Sequence, residues 1–193
     1  MTSRLNRRDV VSELLEDREE LLVVTGLGSP TYDVMAAGDH DRNYYLWGAM
    51  GGAALIGLGL ALAMPDEKVL VITGDGEMLM ALGGLATIAV KRPKNLSIVV
   101  LDNGHYGETG MQLSHSGHGV KLEKVAESVE FEWTQRISSM DEVIALRSRV
   151  HAADALNFAS VVVDTGDEKR VLPSRDGVYI KNRFKTALGQ EIT

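Results

Sequence analysis

A chain of 193 residues with 45% hydrophobic and 24% charged residues has room for one domain with a sizeable core. Its net charge of −7, with no basic block, argues against nucleic acid as a partner. The sequence has no cysteine, which excludes disulfides, thiolate catalysis and cysteine-ligated iron–sulfur clusters, and fits a cytoplasmic location.

Residues 1–20 carry no apolar stretch of the secretory kind, so no signal peptide is expected. Residues 5–20 read as a charged amphipathic helix with Val10, Val11, Leu14 and Leu15 near one face; its glutamates form a solvated face. Residues 21–25 form a short apolar strand that ends in Gly26-Leu27-Gly28-Ser29-Pro30-Thr31. This glycine-rich turn sits where a phosphate contact is possible. It departs from the dinucleotide pattern, because Thr31 stands at the third glycine position. Residues 36–43 read as a polar loop in which His40 and Asp41 are solvated or face a substrate. Residues 44–64 carry no charge and reach the length of a membrane span. Their five glycines, the lack of basic asymmetry in the flanks and the strand–loop–helix pattern on either side predict instead a buried helix of a water-soluble domain. Ala49, Ala53, Gly57 and Ala61 would form its close-packing face.

The next stretch carries the chemistry. Residues 69–72 read as a buried parallel strand that stops at Gly74-Asp75-Gly76. Met78, Leu79, Leu82, Leu85, Ile88 and Ala89 are spaced as one helix on the sheet, and Gly83-Gly84 marks a close approach to a neighbour. After Pro93, residues 96–101 form a second strand that stops at Asp102-Asn103-Gly104. The unit is a βαβ crossover, and both polar clusters fall at carboxyl ends of parallel strands, where open α/β sheets bind ligands. Gly74 and Gly76 permit a close backbone approach, and the amides that follow would face an anion. Asp75 offers one carboxylate and Asn103 one neutral oxygen. Few protein oxygens completed by ligand phosphates is how Mg²⁺ is usually held, so the implied ligand is a magnesium diphosphate. Taken alone, the Gly-Asp-Gly run is equally an ordinary turn that starts a helix, and Asn103 an ordinary turn residue. Glu77 sits where a diphosphate would repel it, and is expected to point away or to meet a basic group of a partner.

Residues 104–112 are glycine-rich and polar, a loop draped over the strand ends. Residues 114–118 read as a flexible polar loop in which His115 and His118 are candidates for the substrate side. The remainder is predicted as a helix over 122–129, a short strand or turn over 131–134, and a helix from Ser139 to about residue 156, started by the capping box Ser139-x-x-Glu142. A strand over 158–164 and a final helix over 179–188 complete it. No repeat or domain boundary is visible, so residues 1–193 read as a single α/β domain.

Gly-Asp-Gly followed after 26 residues by Asn103 resembles the signature of thiamine diphosphate (ThDP) enzymes. The run Thr109-Gly110-Met111-Gln112 is similar to sulfopyruvate decarboxylase β subunits and, next, to phosphonopyruvate decarboxylases, which share Thr-Gly-x-Gln after the asparagine. The resemblance covers about residues 21–188 and implies the diphosphate-binding domain, a three-layer, doubly wound, mostly parallel α/β sheet. It implies that Asp75, Asn103 and the carbonyl of His105 hold Mg²⁺. It implies a Gly48 carbonyl that meets the cofactor's 4′-amino group, and a Met50 side chain wedged between the cofactor's two rings. Gly74, Asp75, Gly76, Glu77, Asn103, His105, Tyr106, Gly107, Ser29 and Thr109 complete the implied cofactor contacts, with Thr31 and Gln112 as further candidates. This chain departs from the similar decarboxylases at Ser29-Pro30-Thr31, where they tend to carry Ser-Arg-Glu.

In the family, a glutamate from a separate pyrimidine-binding domain activates the cofactor. No residue of this chain is assigned that role, and its length leaves no room for the second domain. The resemblance therefore implies a hetero-oligomer with a pyrimidine-binding-domain α subunit. The chain would be the β subunit of a cytoplasmic ThDP- and Mg²⁺-dependent decarboxylase of a small 2-oxo acid, with no nucleic acid or membrane partner. Two alternatives stand beside it: a split acetolactate-synthase-like carboligase subunit, and a non-catalytic module that binds a magnesium diphosphate and regulates a partner.

Overall fold

Short runs of Val, Leu and Ile build the sheet, and the loops at one of its edges build the site. The computed structural model describes residues 4–191; the extreme ends of the predicted single domain, residues 1–3 and 192–193, lie outside the described residues. The strands are β1 (Leu22–Thr25), β2 (Asn43–Tyr45), β3 (Val69–Gly74), β4 (Leu96–Asp102), β5 (His105–Tyr106), β6 (Gln112–Leu113), β7 (Trp133–Ile137) and β8 (Asn157–Val162). The α-helices are α1 (Arg7–Leu14), α2 (Ser29–Ala37), α3 (Ala53–Ala63), α4 (Asp75–Met80), α5 (Gly84–Lys91), α6 (Leu122–Ser128), α7 (Met140–Ala152) and α8 (Gly177–Ala187).

Six strands form one sheet in the order β2-β1-β3-β4-β8-β7, and every pairing in it is parallel. Its strands are apolar on both faces because both faces are covered. Leu22, Val24, Val69, Val71, Ile98, Val100 and Phe158 pack under α3, α5 and α6. Their alternating neighbours Val23, Leu70, Ile72, Val99, Leu101 and Val161 pack under α1, α2 and α7. The architecture is thus the expected three-layer, doubly wound α/β fold.

The strand order places a switch point between β1 and β3. The chain leaves β1 for α2 on one face, and leaves β3 for α4 and α5, of which α5 packs on the other face. The loops at their carboxyl ends part there and open a crevice.

Several elements differ from the sequence reading. The helix expected over 44–64 begins only at Ala53. Residues 43–45 are instead the edge strand β2, paired with β1, and residues 46–52 form a loop. Gly48 (φ 74°) and Gly51 (φ 95°) hold left-handed backbone conformations that a helix does not contain. Ala49 therefore lies off the small-residue face, while Ala53, Gly57 and Ala61 are buried on it. With 11 residues α3 is short, and among the described residues no helix is long and apolar enough to cross a membrane. The single helix expected over residues 78–89 is broken between Met80 and Gly84 into α4 and α5. The close approach predicted at Gly83-Gly84 is made within the chain, where Gly84 faces the side chain of Leu55 on α3. The turn or strand expected over 131–134 lies later, as β7 at Trp133–Ile137, one edge of the sheet. The capping box at Ser139 and Glu142 forms as predicted.

Candidate functional site

At the switch point lies a cleft of about 160 Å³. The turn after β1 contributes Leu27, Ser29 and Pro30, and the turn after β3 contributes Gly74, Asp75, Gly76 and Glu77. The segment after β4 adds Asn103, His105, Tyr106, Gly107, Glu108 and Thr109, and Met50 enters from the loop before α3. Every residue of the predicted cofactor set lines this cleft except Gly48, which lies in the Met50 loop outside the lining.

Asp75 is buried at the floor. Its Oδ2 accepts hydrogen bonds from the hydroxyls of Ser114 and, at 2.8 Å, Ser116. Among the described residues no side chain donates to its Oδ1. Burial pushes the Asp75 carboxyl above its ordinary range; the two serine hydrogen bonds oppose that rise and the nearby charge of Asp102 adds to it. Asn103 heads an Asx turn in which its Oδ1 accepts from the His105 amide at 2.8 Å. The Asn103 carbonyl lies 2.9 Å from Nδ1 of His105 and accepts from the Arg4 guanidinium at 3.2 Å. Among the described residues no three His, Asp or Glu side chains converge as a metal cage. What the cleft offers is a carboxylate, an amide oxygen and backbone carbonyls, which are hard oxygen donors.

Glu77 lines the cleft, but its carboxylate serves its own chain. Oε2 accepts from the Leu27 amide at 2.7 Å, and Oε1 from the Gly51 and Ala53 amides at 3.3 Å each. Of the two expectations for Glu77, the basic group of a partner is the one the structure makes unnecessary, because the carboxylate binds three backbone amides of its own chain. The same arrangement accounts for Gly26, where a Cβ would overlap the Glu77 carboxylate. Thr31 is likewise engaged internally, donating to the Gly26 carbonyl at 2.7 Å and lying 2.5 Å from the Thr25 hydroxyl; it is fully buried and does not line the cleft.

Met50 is 40% exposed and sits over Gly76, with its methyl group 3.6 Å from where a Gly76 Cβ would be. The Tyr106 ring covers Gly76 from the other side, 2.7 Å from the same point, so only glycine fits beneath the two.

The segment expected over residues 104–112 to be a draped loop is a short hairpin. β5 and β6 pair antiparallel, Tyr106 opposite Gln112, around a short 3₁₀ turn at Gly107–Thr109. Thr109 and Gln112 bond each other through Thr109 Oγ1 to Gln112 Oε1 at 3.2 Å and Gln112 Nε2 to the Thr109 carbonyl at 2.9 Å. Beyond the hairpin, residues 114–120 close into consecutive turns. His115 meets the Tyr106 hydroxyl at 3.0 Å, outside the cleft lining, and His118 does not line the cleft either. His40 lies elsewhere, where its Nδ1 accepts from the Arg42 amide at 3.1 Å.

Four residues of the site were not singled out in the sequence. Ser114 and Ser116 hold Asp75; Asp102 is buried beside them, with its Oδ2 3.3 Å from Arg136. Glu108 lines the cleft opposite Gly28 and pairs with Arg170 at 3.5 Å. The β5–β6 hairpin that brings the serines to Asp75 has strands of two residues each, too short for any periodic signal.

Fold and cleft together define a doubly wound α/β protein that binds a ligand at the carboxyl edge of a parallel sheet. Residues 30–163 match the model of the thiamine pyrophosphate enzyme C-terminal TPP-binding domain, and the chain belongs to that family. The chain is 44% identical over 121 residues to the sulfopyruvate decarboxylase subunit beta of Methanocaldococcus jannaschii, covering 62% of this chain and 64% of that one. It is 37% identical over 184 residues to the subunit of the same name from Methanothermobacter thermautotrophicus, covering 95% and 94%. In fold it is similar to the benzoylformate decarboxylase of Polynucleobacter necessarius, with a TM-score of 0.70 and 19% identity over 86% of this chain and 34% of that enzyme.

Proposed function

We propose that residues 1–193 form a single ThDP diphosphate-binding domain and that the chain is the β subunit of a two-subunit, Mg²⁺-dependent 2-oxo acid decarboxylase. Its substrate would be a small 2-oxo acid of the sulfopyruvate kind. The carrying observation is the convergence of Asp75, Asn103, His105 and Met50 on one cleft at the switch point of the sheet. The donor set, a carboxylate, an amide oxygen and a backbone carbonyl, fits Mg²⁺, and beyond its chain neighbours nothing lies within 4 Å of where a Cβ on Gly74 would be.

In this reading Asp75 Oδ1, the Asn103 side-chain oxygen and the His105 carbonyl hold Mg²⁺. Gly74, Gly76, Ser29, Tyr106, Gly107 and Thr109 line the diphosphate end, and Glu77 fixes the loops on either side of it. Met50 would wedge between the two rings of the cofactor, and the Gly48 carbonyl would accept from its amino group. Bound ThDP supplies the electron sink for the pair released as the substrate carboxylate departs. The activating carboxylate comes from a pyrimidine-binding-domain α subunit, in a cytoplasmic hetero-oligomer with the cofactor between the chains.

The test is calorimetric titration of ThDP into the co-purified complex with and without Mg²⁺. Asp75→Ala should abolish the Mg²⁺-dependent binding, and release of CO₂ from the 2-oxo acid should require both chains. An unchanged ThDP affinity in the Asp75→Ala complex would overturn the proposal.

A further inference from the structure

We infer that Ser114 and Ser116 are positioning residues of the cation site: they fix Oδ2 of Asp75 so that Oδ1 alone is presented to the metal. The inference rests on the cation-binding role proposed above for Asp75 and deepens it. Both hydroxyls converge on Oδ2, and they lie 2.9 Å from each other. Ser116 also lies 2.7 Å from Oδ1 of Asp102. A hydroxyl has one proton, so Ser116 donates either to Asp75 or to Asp102 at a given moment.

This support is built into the fold. Ser114 is completely buried, and its amide donates to the Gly104 carbonyl at 2.9 Å, in the turn that also carries Asn103. Gly117 lies against the same turn, and a Cβ there would overlap the Gly104 carbonyl. Asp102 anchors the far side by accepting from the Gly104 amide at 3.1 Å and from Arg136 at 3.3 Å. The two oxygen donors, Asp75 and Asn103, are therefore referenced to one hydrogen-bonded frame. Such outer partners orient metal ligands, and their loss typically lowers metal affinity about 10–100-fold.

Geometry makes the role distinguishable from mere stability. Mg²⁺ demands near-ideal octahedral ligands, whereas Ca²⁺ tolerates varied ones. A carboxylate freed to rotate should therefore weaken Mg²⁺ far more than Ca²⁺. The experiment titrates Mg²⁺ and, separately, Ca²⁺ into the co-purified complex with saturating ThDP, following heat and thermal unfolding. It compares Ser114→Ala, Ser116→Ala, Ser116→Thr and Asp75→Ala with the parent. The expected result is a Mg²⁺ affinity lowered at least about 10-fold by either alanine, a Ca²⁺ affinity changed by less than about threefold, and recovery in Ser116→Thr. If Asp75→Ala abolishes Mg²⁺ binding while both serine variants bind Mg²⁺ as the parent does, the inference fails and the cation site stands. Equal losses of Mg²⁺ and Ca²⁺ together with lower thermal stability also overturn it, because the serines are then structural only. Mg²⁺ binding unaffected by Asp75→Ala overturns the proposed function itself.

Discussion

Glu77 Oε2 accepts the amide proton of Leu27 at 2.7 Å across 50 residues of chain. Its other oxygen takes the amides of Gly51 and Ala53, so one carboxylate ties together the turn after β1, the loop that carries Met50 and the start of α3. Each buried amide left without an acceptor costs about 1–3 kcal/mol. Glu77→Ala should therefore lower the unfolding free energy by about 3 kcal/mol or more, read from urea transitions. Glu77→Gln keeps one acceptor oxygen and should lose less. An alanine variant as stable as the parent would refute this account of the residue.

Gly57 sets a contest between helix propensity and packing. Alanine is the better helix former by about 1 kcal/mol in an exposed helix interior. Here a Cβ would overlap Val71 Cγ2 of β3 and lie 3.3 Å from Leu96. Overpacking of this kind costs about 1–3 kcal/mol, and Val71 sits in the sheet where it has little room to yield. Gly57→Ala is expected to destabilise the protein, whereas Gly59→Ala on the same helix, with nothing within 4 Å of its Cβ position, should stabilise it. Melting temperatures of the two variants that shift in the same direction would contradict the packing argument.

How far the sequence was legible follows from the range of each interaction. Asp75 and Asn103 stood out because each follows an apolar strand at once, and their turn chemistry is local. The sheet was legible from its continuous Val and Leu runs, with the exceptions of β7, whose residues Trp133–Ile137 include no Val or Leu, and of β2. The three residues of β2 become a strand through pairing with β1, and Tyr45 is held by hydrogen bonds with Asp39 and Asn43, none of which a hydropathy pattern encodes. The partners of Glu77 were not legible because a local view sees only its charge, while the amides that balance it lie 24–50 residues away. Ser114 and Ser116 reach Asp75 across 39 and 41 residues, through a hairpin too brief to announce itself.

Gly76 and Tyr106 form a second steric pair. A Cβ at Gly76 would stand 2.7 Å from the ring edge of Tyr106 and must displace it. Gly76→Ala should lower ThDP affinity in the complex by about 10-fold or more, since shape errors of about 1 Å in a preorganised site carry penalties of this size. If the clash is the cause, Gly76→Ala combined with Tyr106→Ala should bind ThDP no more weakly than Tyr106→Ala alone. Additive losses in the double variant would locate the effect in the backbone of the turn.

The buried pair formed by Arg7 and Asp33 gives a pH dependence whose sign can be worked out. Asp33 is fully buried, with Arg7 at 3.1 Å and Arg8 at 3.3 Å. Burial pushes its carboxyl up to about 6 from 3.8, against the pull of the two guanidinium groups. Between those values the folded protein holds a proton that the unfolded chain has released. The contribution to stability is therefore fully present below about pH 3.8 and is lost as pH rises through about 6, a change on the order of 3 kcal/mol. Asp33→Asn removes this titration. The informative quantity is the difference between the two proteins as a function of pH, in which the titrations they share cancel. Urea unfolding at pH 4.5 and pH 7 should show the parent gaining stability toward the lower pH relative to Asp33→Asn, and parallel profiles would mean that Asp33 is ionised throughout.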